Sequence, residues 1–279
     1  MVAGSLGRFS LTRLRANNFQ VPKACAFCAS SNRKITREHI IPEWIGELFA
    51  AVGTVTIEEG HPDRAMRSYD LTPFDQTVRA VCDQCNNGWM SRLETAVQPF
   101  LGPMIRHGRP TRLKPPQQAL LARWAVKTAL MAEYLHPVER IIPIAENNRF
   151  YTLQQPPAGY AVWLAHRTTY TDRAGKIVLV QGRGQHTQRV HYAPPATAEQ
   201  LHALEDQGHA VYRFVLTIGH VMFLIFGHTF PLTFNIAVPD WEGFQRIWPV
   251  DVRKTWPSPK SAEEIGGFQT VYDAFTWEG

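Results

Sequence analysis

Cys25-Ala26-Phe27-Cys28, then Arg37-Glu38-His39-Ile40-Ile41-Pro42, then Cys82-Asp83-Gln84-Cys85-Asn86-Asn87-Gly88-Trp89: these three stretches decide how the N-terminal third is read. The two Cys-x-x-Cys knuckles hold the only four cysteines of the 279-residue chain, and 53 residues separate them. A thiolate pair at this spacing wraps one face of a metal ion. Two pairs complete a tetrahedral sulfur site, for which zinc is the usual occupant. Such a site is closed and structural, and it staples a small fold that lacks a large core of its own. The competing reading is two redox dithiols or four unrelated thiols. A redox Cys-x-x-Cys normally opens a helix after a strand, and two in one chain would be unusual. Four cysteines are too few for a disulfide-built scaffold.

Between the knuckles, an acid next to a histidine, followed by an apolar pair and a proline, reads as a tight turn presenting polar groups. His39 carries an imidazole that can take a proton from water. Glu38 is a hard oxygen ligand suited to Mg²⁺ or Mn²⁺. Asn86 is placed to open a helix anchored by the second knuckle, and its side-chain oxygen is a candidate second hard ligand. Asn is also a favoured helix N-cap, so a purely structural role is open to it. A turn histidine and a turn-capping carboxylate are the corresponding structural readings of His39 and Glu38.

Taken in order, the first knuckle, Glu38-His39-Ile40-Ile41-Pro42 and the second knuckle with Asn86 resemble the HNH endonucleases, the ββα-metal or His-Me finger enzymes. The resemblance covers residues 23–105. It implies His39 as the general base that activates water, Glu38 as the first ligand of a catalytic divalent ion and Asn86 as the second. The ion would act as a Lewis acid on the scissile phosphate. Two departures accompany it. Glu38 is a methylene longer than the aspartate common at that place. The family's middle asparagine, about nine positions before the last ligand, falls on Thr77, with Gln76 beside it. In an alternative alignment Asn86 is the orienting residue, and the last ligand comes from the following helix as Asn87 or Glu94. The chain is also similar to bacterial HNH proteins that carry Cys-Asn-Asn-Gly-Trp-Met and a later Trp-Ala-x-Lys-Thr-Ala, here Trp124 to Ala129; this assigns no role to the second half.

Composition sets the remaining bounds. Apolar residues make up 44% and charged residues 19%, which permits a packed core and excludes global disorder. No run reaches the ~18 apolar residues of a membrane helix, and no signal peptide is recognisable. A soluble, cytoplasmic protein without membrane contact is therefore expected. The net charge of +5 lies wholly within residues 1–114, which hold 15 basic and 10 acidic side chains. A polyanion, DNA or another nucleic acid, would be met by that third.

The expected organisation is α+β: a basic leader over 1–22, a zinc-stapled ββα-metal nuclease domain over 23–110 and a second α+β domain with an antiparallel sheet over 115–279. The proline-rich segment 109–116 reads as their boundary. Beyond it, Gln117 to Leu135 has a helical apolar stripe in which Trp124, Lys127 and Thr128 read as packing. Strands are expected over 160–166, 176–180, 189–192, 212–218, 221–226 and 232–238, and a helix over 198–207. Residues 115–279 are a candidate surface for a homodimer or a partner protein. The function expected is metal-dependent DNA cleavage, in restriction, phage defence or a mobile element. The rival is a zinc-stabilised binding module whose active site has decayed.

Overall fold

A computed structural model describes residues 24–49, 55–60, 67–71, 76–135, 142–169, 180–187, 199, 203–204, 207, 209, 211–231, 243–258, 260–262 and 264. The basic leader and the strands expected over 189–192 and 232–238 lie outside the described residues, as does most of the helix expected over 198–207 and of the strand expected over 176–180.

The chain is mixed α+β. Strand β1 (Ile35–His39) pairs antiparallel with β4 (Thr77–Cys82), and between them come the short helix α1 (Glu43–Leu48) and the strands β2 (Val55–Gly60) and β3 (Arg67–Leu71). After β4 the chain makes a π-helical turn, Cys85–Met90, and runs straight into α2 (Ser91–His107). Gly88 leaves the helical path inside that turn, at φ −97° and ψ −106°. Pro99 and Pro103 lie within α2, which ends at Gly108 in the left-handed conformation that glycine adopts without a Cβ penalty.

The short strand β5 (Thr111–Leu113) leads into α3 (Pro115–Ala132), whose first two residues are Pro115 and Pro116. The prolines that mark a boundary in the sequence thus begin the next helix, where a missing N–H costs nothing. The Gln117 side chain accepts from the Lys114 N–H at 2.9 Å and completes the start. Then follow α4 (Ile144–Leu153) and strands β6 (Ala161–His166), β7 (Val180–Thr187), β8 (Val211–Ile218), β9 (Val221–His228), β10 (Gln245–Trp248) and β11 (Lys254–Trp256). β11 pairs with β5, so a C-terminal segment returns to the start of α3.

The large sheet has seven strands in the order β10-β6-β9-β8-β7-β2-β3. Its pairings are antiparallel except for β2 with β7, which run parallel. The hairpin β2–β3, inserted between the two halves of the cysteine-bearing segment, therefore extends the sheet of the second half. β8 and β9 are buried at every residue, hence their near-continuous apolar sequence. Their turn presses on α2: the His220 N–H donates to the Ile105 carbonyl at 3.0 Å, and a Cβ added at Gly219 (φ 53°) would lie 2.4 Å from that oxygen.

Helix α3 packs between α2 and the sheet, touching β6, β8, β9 and β10. Its buried residues run without a break from Trp124 to Met131. One connected core reaches from Cys25 and Phe27 through Trp89, Leu93 and Trp124 to Phe223 and Trp256. No helix among the described residues is long and apolar enough to cross a membrane.

Candidate functional site

The two knuckles meet. The ligand atoms of Cys25, Cys28, Cys82 and Cys85 all lie within 4.8 Å of one another. Cys28 Sγ and Cys82 Sγ are 3.7 Å apart. A tetrahedral ion with metal–sulfur bonds of about 2.3 Å places sulfurs about 3.8 Å apart, so the cluster could hold zinc. The backbone builds the cradle. The Cys25 N–H donates to Ser30 O at 2.9 Å and the Ala29 N–H to Cys25 O at 3.0 Å, a turn that Ala29 closes with a positive φ of 56°. The Ala26 N–H donates to Ala80 O and the Asp83 N–H to Lys34 O, which ties each knuckle to the other's strand.

The sulfurs share charge unequally. A hydrogen bond from Cys85 is the main reason the Cys25 thiol falls to about 4, and backbone donors from Cys28, Cys82 and Phe27 add to it. Cys85 is pushed up, first by that shared proton and then by burial, and burial pushes Cys28 up. Arg33 donates to Cys28 Sγ at 3.9 Å and supplies a cation to the cluster. Phe27 meets the Trp89 ring edge-on with centroids 5.2 Å apart, and Phe150 and Tyr151 of α4 pack on the same indole.

Glu38 and His39 end β1, beside an irregularity in the pairing between Thr36 and Glu38. His39 lies opposite Thr77, and the Ile40 N–H donates to Gln76 O at 3.1 Å. Thr77 and Gln76 thus hold the Glu38-His39 segment through their backbones. His39 is half-buried.

Asn86 is turned toward that segment. Its amide donates to Arg37 O at 3.0 Å and to Thr36 Oγ1 at 3.1 Å. The π-helical turn supplies the reach, because it starts at Cys85, a cluster residue, and sets Asn86 against β1. Asn87 is exposed.

Glu38 itself is 8% exposed and meets Lys127, which is completely buried. Lys127 Nζ donates to Glu38 Oε1 at 3.4 Å and to Glu94 Oε1 at 2.7 Å. Three elements contribute: β1, α2 and α3. Burial is the main force holding the Glu38 carboxyl above its usual range, and the Glu94 charge adds to it. Lys127 and His39 pull the other way. The cluster joins Glu38 to Glu94, the helix residue of the alternative alignment, through an ammonium.

Lys127 was legible only as packing, and Glu94 as a candidate last ligand of the alternative alignment. The signal lay in the pattern: a lysine flanked by Trp124, Ala125, Val126, Thr128, Ala129 and Leu130 sits where a core helix has no solvent to offer it. Such a charge needs partners, and acids on neighbouring elements are the ones to look for.

Compared with protein-family models, with curated proteins and with solved structures, the chain gives no match.

Proposed function

We propose that the chain is a zinc-stapled, metal-dependent nuclease of the HNH type that hydrolyses phosphodiester bonds in DNA, with His39 as general base. The observation that supports this reading best is the anchoring of Glu38-His39 from both sides. Thr77 and Gln76 hold it through β4 and Asn86 holds it through the Arg37 carbonyl. A segment pinned to a cysteine cluster by two elements is preorganised, which a general base requires and a surface turn does not.

Under this reading Asn86 orients the catalytic segment, and Glu38 with Glu94 are the acids that would hold a Mg²⁺ or Mn²⁺ ion. Both are hard oxygen donors, and they meet at the Lys127 ammonium, which an ion bound between them would have to displace. When bound, the ion supplies Lewis-acid stabilisation of the phosphate. His39 takes the proton from the attacking water. Lys127 keeps the two carboxylates together and bears a positive charge between them.

The same lysine favours a second reading, a zinc-stabilised binding module. An ammonium bonded to both acids already satisfies them without an ion. Nicking of supercoiled plasmid separates the two. The nuclease reading expects cleavage with added Mg²⁺ or Mn²⁺ and a loss of about 10² or more in rate for His39→Ala, with zinc content unchanged. Absence of cleavage with either ion on supercoiled, linear and single-stranded DNA supports the binding module. Cleavage by His39→Ala at the unaltered rate removes His39 from the role of base.

A further inference from the structure

A cleft of about 560 Å³ opens beside the cysteine cluster. Its walls include Arg33 from the loop after the first knuckle, Trp89 and Arg92 from the π turn and α2, and Tyr151 and Gln154 from the end of α4; no Asp or Glu among the described residues lines it. Behind the wall stands Arg123 of α3. Its guanidinium lies over the Trp89 ring, 5.5 Å from the centroid, and it donates to the Gln154 side chain. Burial, then the nearby charge of Arg92, weakens its hold on its proton. Among the described residues, neither Arg92 nor Arg123 forms an ion pair with an acid.

Cys85 also lines the cleft, so the cysteine cluster offsets part of the positive charge that Arg33 and Arg92 bring to its wall. Arg33 faces the sulfurs, so its charge is partly committed to them. Arg92 is exposed and lines the cleft, which leaves it for an incoming anion, and half-buried Arg123 stands behind it on the Trp89 ring. The planar guanidinium fork matches phosphate oxygens in a two-point bond. Tyr151 is half-buried with its ring packed on Trp89, a platform of the kind on which bases stack. The volume suits one small ligand of roughly nucleotide size.

We propose that this cleft binds one nucleotide of a single-stranded nucleic acid, with Arg92 on its phosphate and Tyr151 against its base. The proposal rests on the reading of the chain as a protein that acts on nucleic acid, and it adds a second point of contact away from His39. A single strand is the form that fits, because a base must leave its stack to reach Tyr151.

The test uses the full chain with His39→Ala, so that no strand is cut, and fluorescein-labelled oligothymidylate read by anisotropy. The expected result is binding that Arg92→Glu weakens by about tenfold or more. Arg92→Ala should reduce the slope of log affinity against log salt by about 0.7, the value of one phosphate contact on a single strand. Tyr151→Ala should weaken binding by about tenfold, the scale of one lost stacking contact. Arg246→Ala, an exposed arginine on β10, should bind as before. Zinc content and circular dichroism confirm that each variant is folded.

No binding by the parent, an unchanged affinity for Arg92→Glu, or equal affinity for inorganic phosphate and the oligonucleotide overturns the proposal. So does a duplex that binds as tightly as the single strand. Cleavage is measured separately on the chain with His39 intact. Lost cleavage with Arg92-dependent binding rejects the nuclease reading and leaves the cleft; cleavage with Arg92-independent binding does the reverse.

Discussion

Lys127 sets the electrostatics where β1, α2 and α3 meet. Its ammonium is fully buried and meets two carboxylates. Removing one partner of a buried ion pair leaves an uncompensated charge and costs about 3–5 kcal/mol. Lys127→Met should therefore lower the unfolding free energy by about that much near neutral pH, measured by urea denaturation. The loss should shrink in mild acid, where the carboxylates can take up protons; a loss below about 1 kcal/mol would show that the pair is dispensable. Glu38 gives a second, signed expectation. Its carboxyl is raised above the ordinary 4.5, chiefly by burial. The folded chain thus holds this proton more tightly than the unfolded one. The stability this contributes is present below the ordinary value and lost as pH rises through the raised one. Glu38→Gln does not titrate, so the unaltered protein should lose stability relative to it as pH rises from the ordinary carboxylate value through the raised one. A difference that stays flat across that range would show that Lys127 cancels the burial penalty in full.

At the scale of elements, the knuckles were readable because metal ligation imposes a spacing that nothing else in the chain requires. The buried strands β8 and β9 and helix α3 were readable from apolar runs and period, to within two or three residues at most ends. The pairing of β2 and β3 was not. Short strands in a turn-rich segment carry little signal of their own, and β7, the strand that β2 joins in the sheet, lies more than a hundred residues away. The Glu38-Lys127-Glu94 cluster was hidden for the same reason, since three elements distant in sequence supply one residue each. Two expectations belong here. The protein should purify with one zinc ion per chain by elemental analysis, and Cys82→Ser should abolish that zinc. The Gly219 turn should tolerate no side chain: Gly219→Ala adds a Cβ that meets Ile105 O at 2.4 Å, at a positive φ. A loss of about 1–3 kcal/mol follows from strain of that kind. A variant as stable as its parent would mean that the β8–β9 turn and α2 separate at little cost.

For the whole molecule, the question is whether the cysteine-bearing segment and the sheet behave as two units, as the prolines at 109–116 invite one to expect. The contacts argue for coupling. The hairpin β2–β3, which the chain makes between β1 and β4, extends the sheet through β7. The end of α2 accepts a hydrogen bond from the β8–β9 turn, and α3 fills the space between them. One core runs from the cysteine cluster through α2 and α3 to β8 and β9 of the sheet. Loss of the metal in Cys82→Ser should therefore not unfold the first third alone. It should lower the transition of the whole chain, seen as one shifted cooperative melt by near-ultraviolet circular dichroism. A fragment of residues 115–279 lacks α2 and the edge hairpin. It would expose the apolar face of α3 that α2 now covers, and exposed patches of that kind lead to association rather than folding. The fragment should thus show no cooperative transition as a monomer. If it instead melts cooperatively at the temperature of the full chain, the sheet half is an independent domain and the shared core adds nothing to its stability.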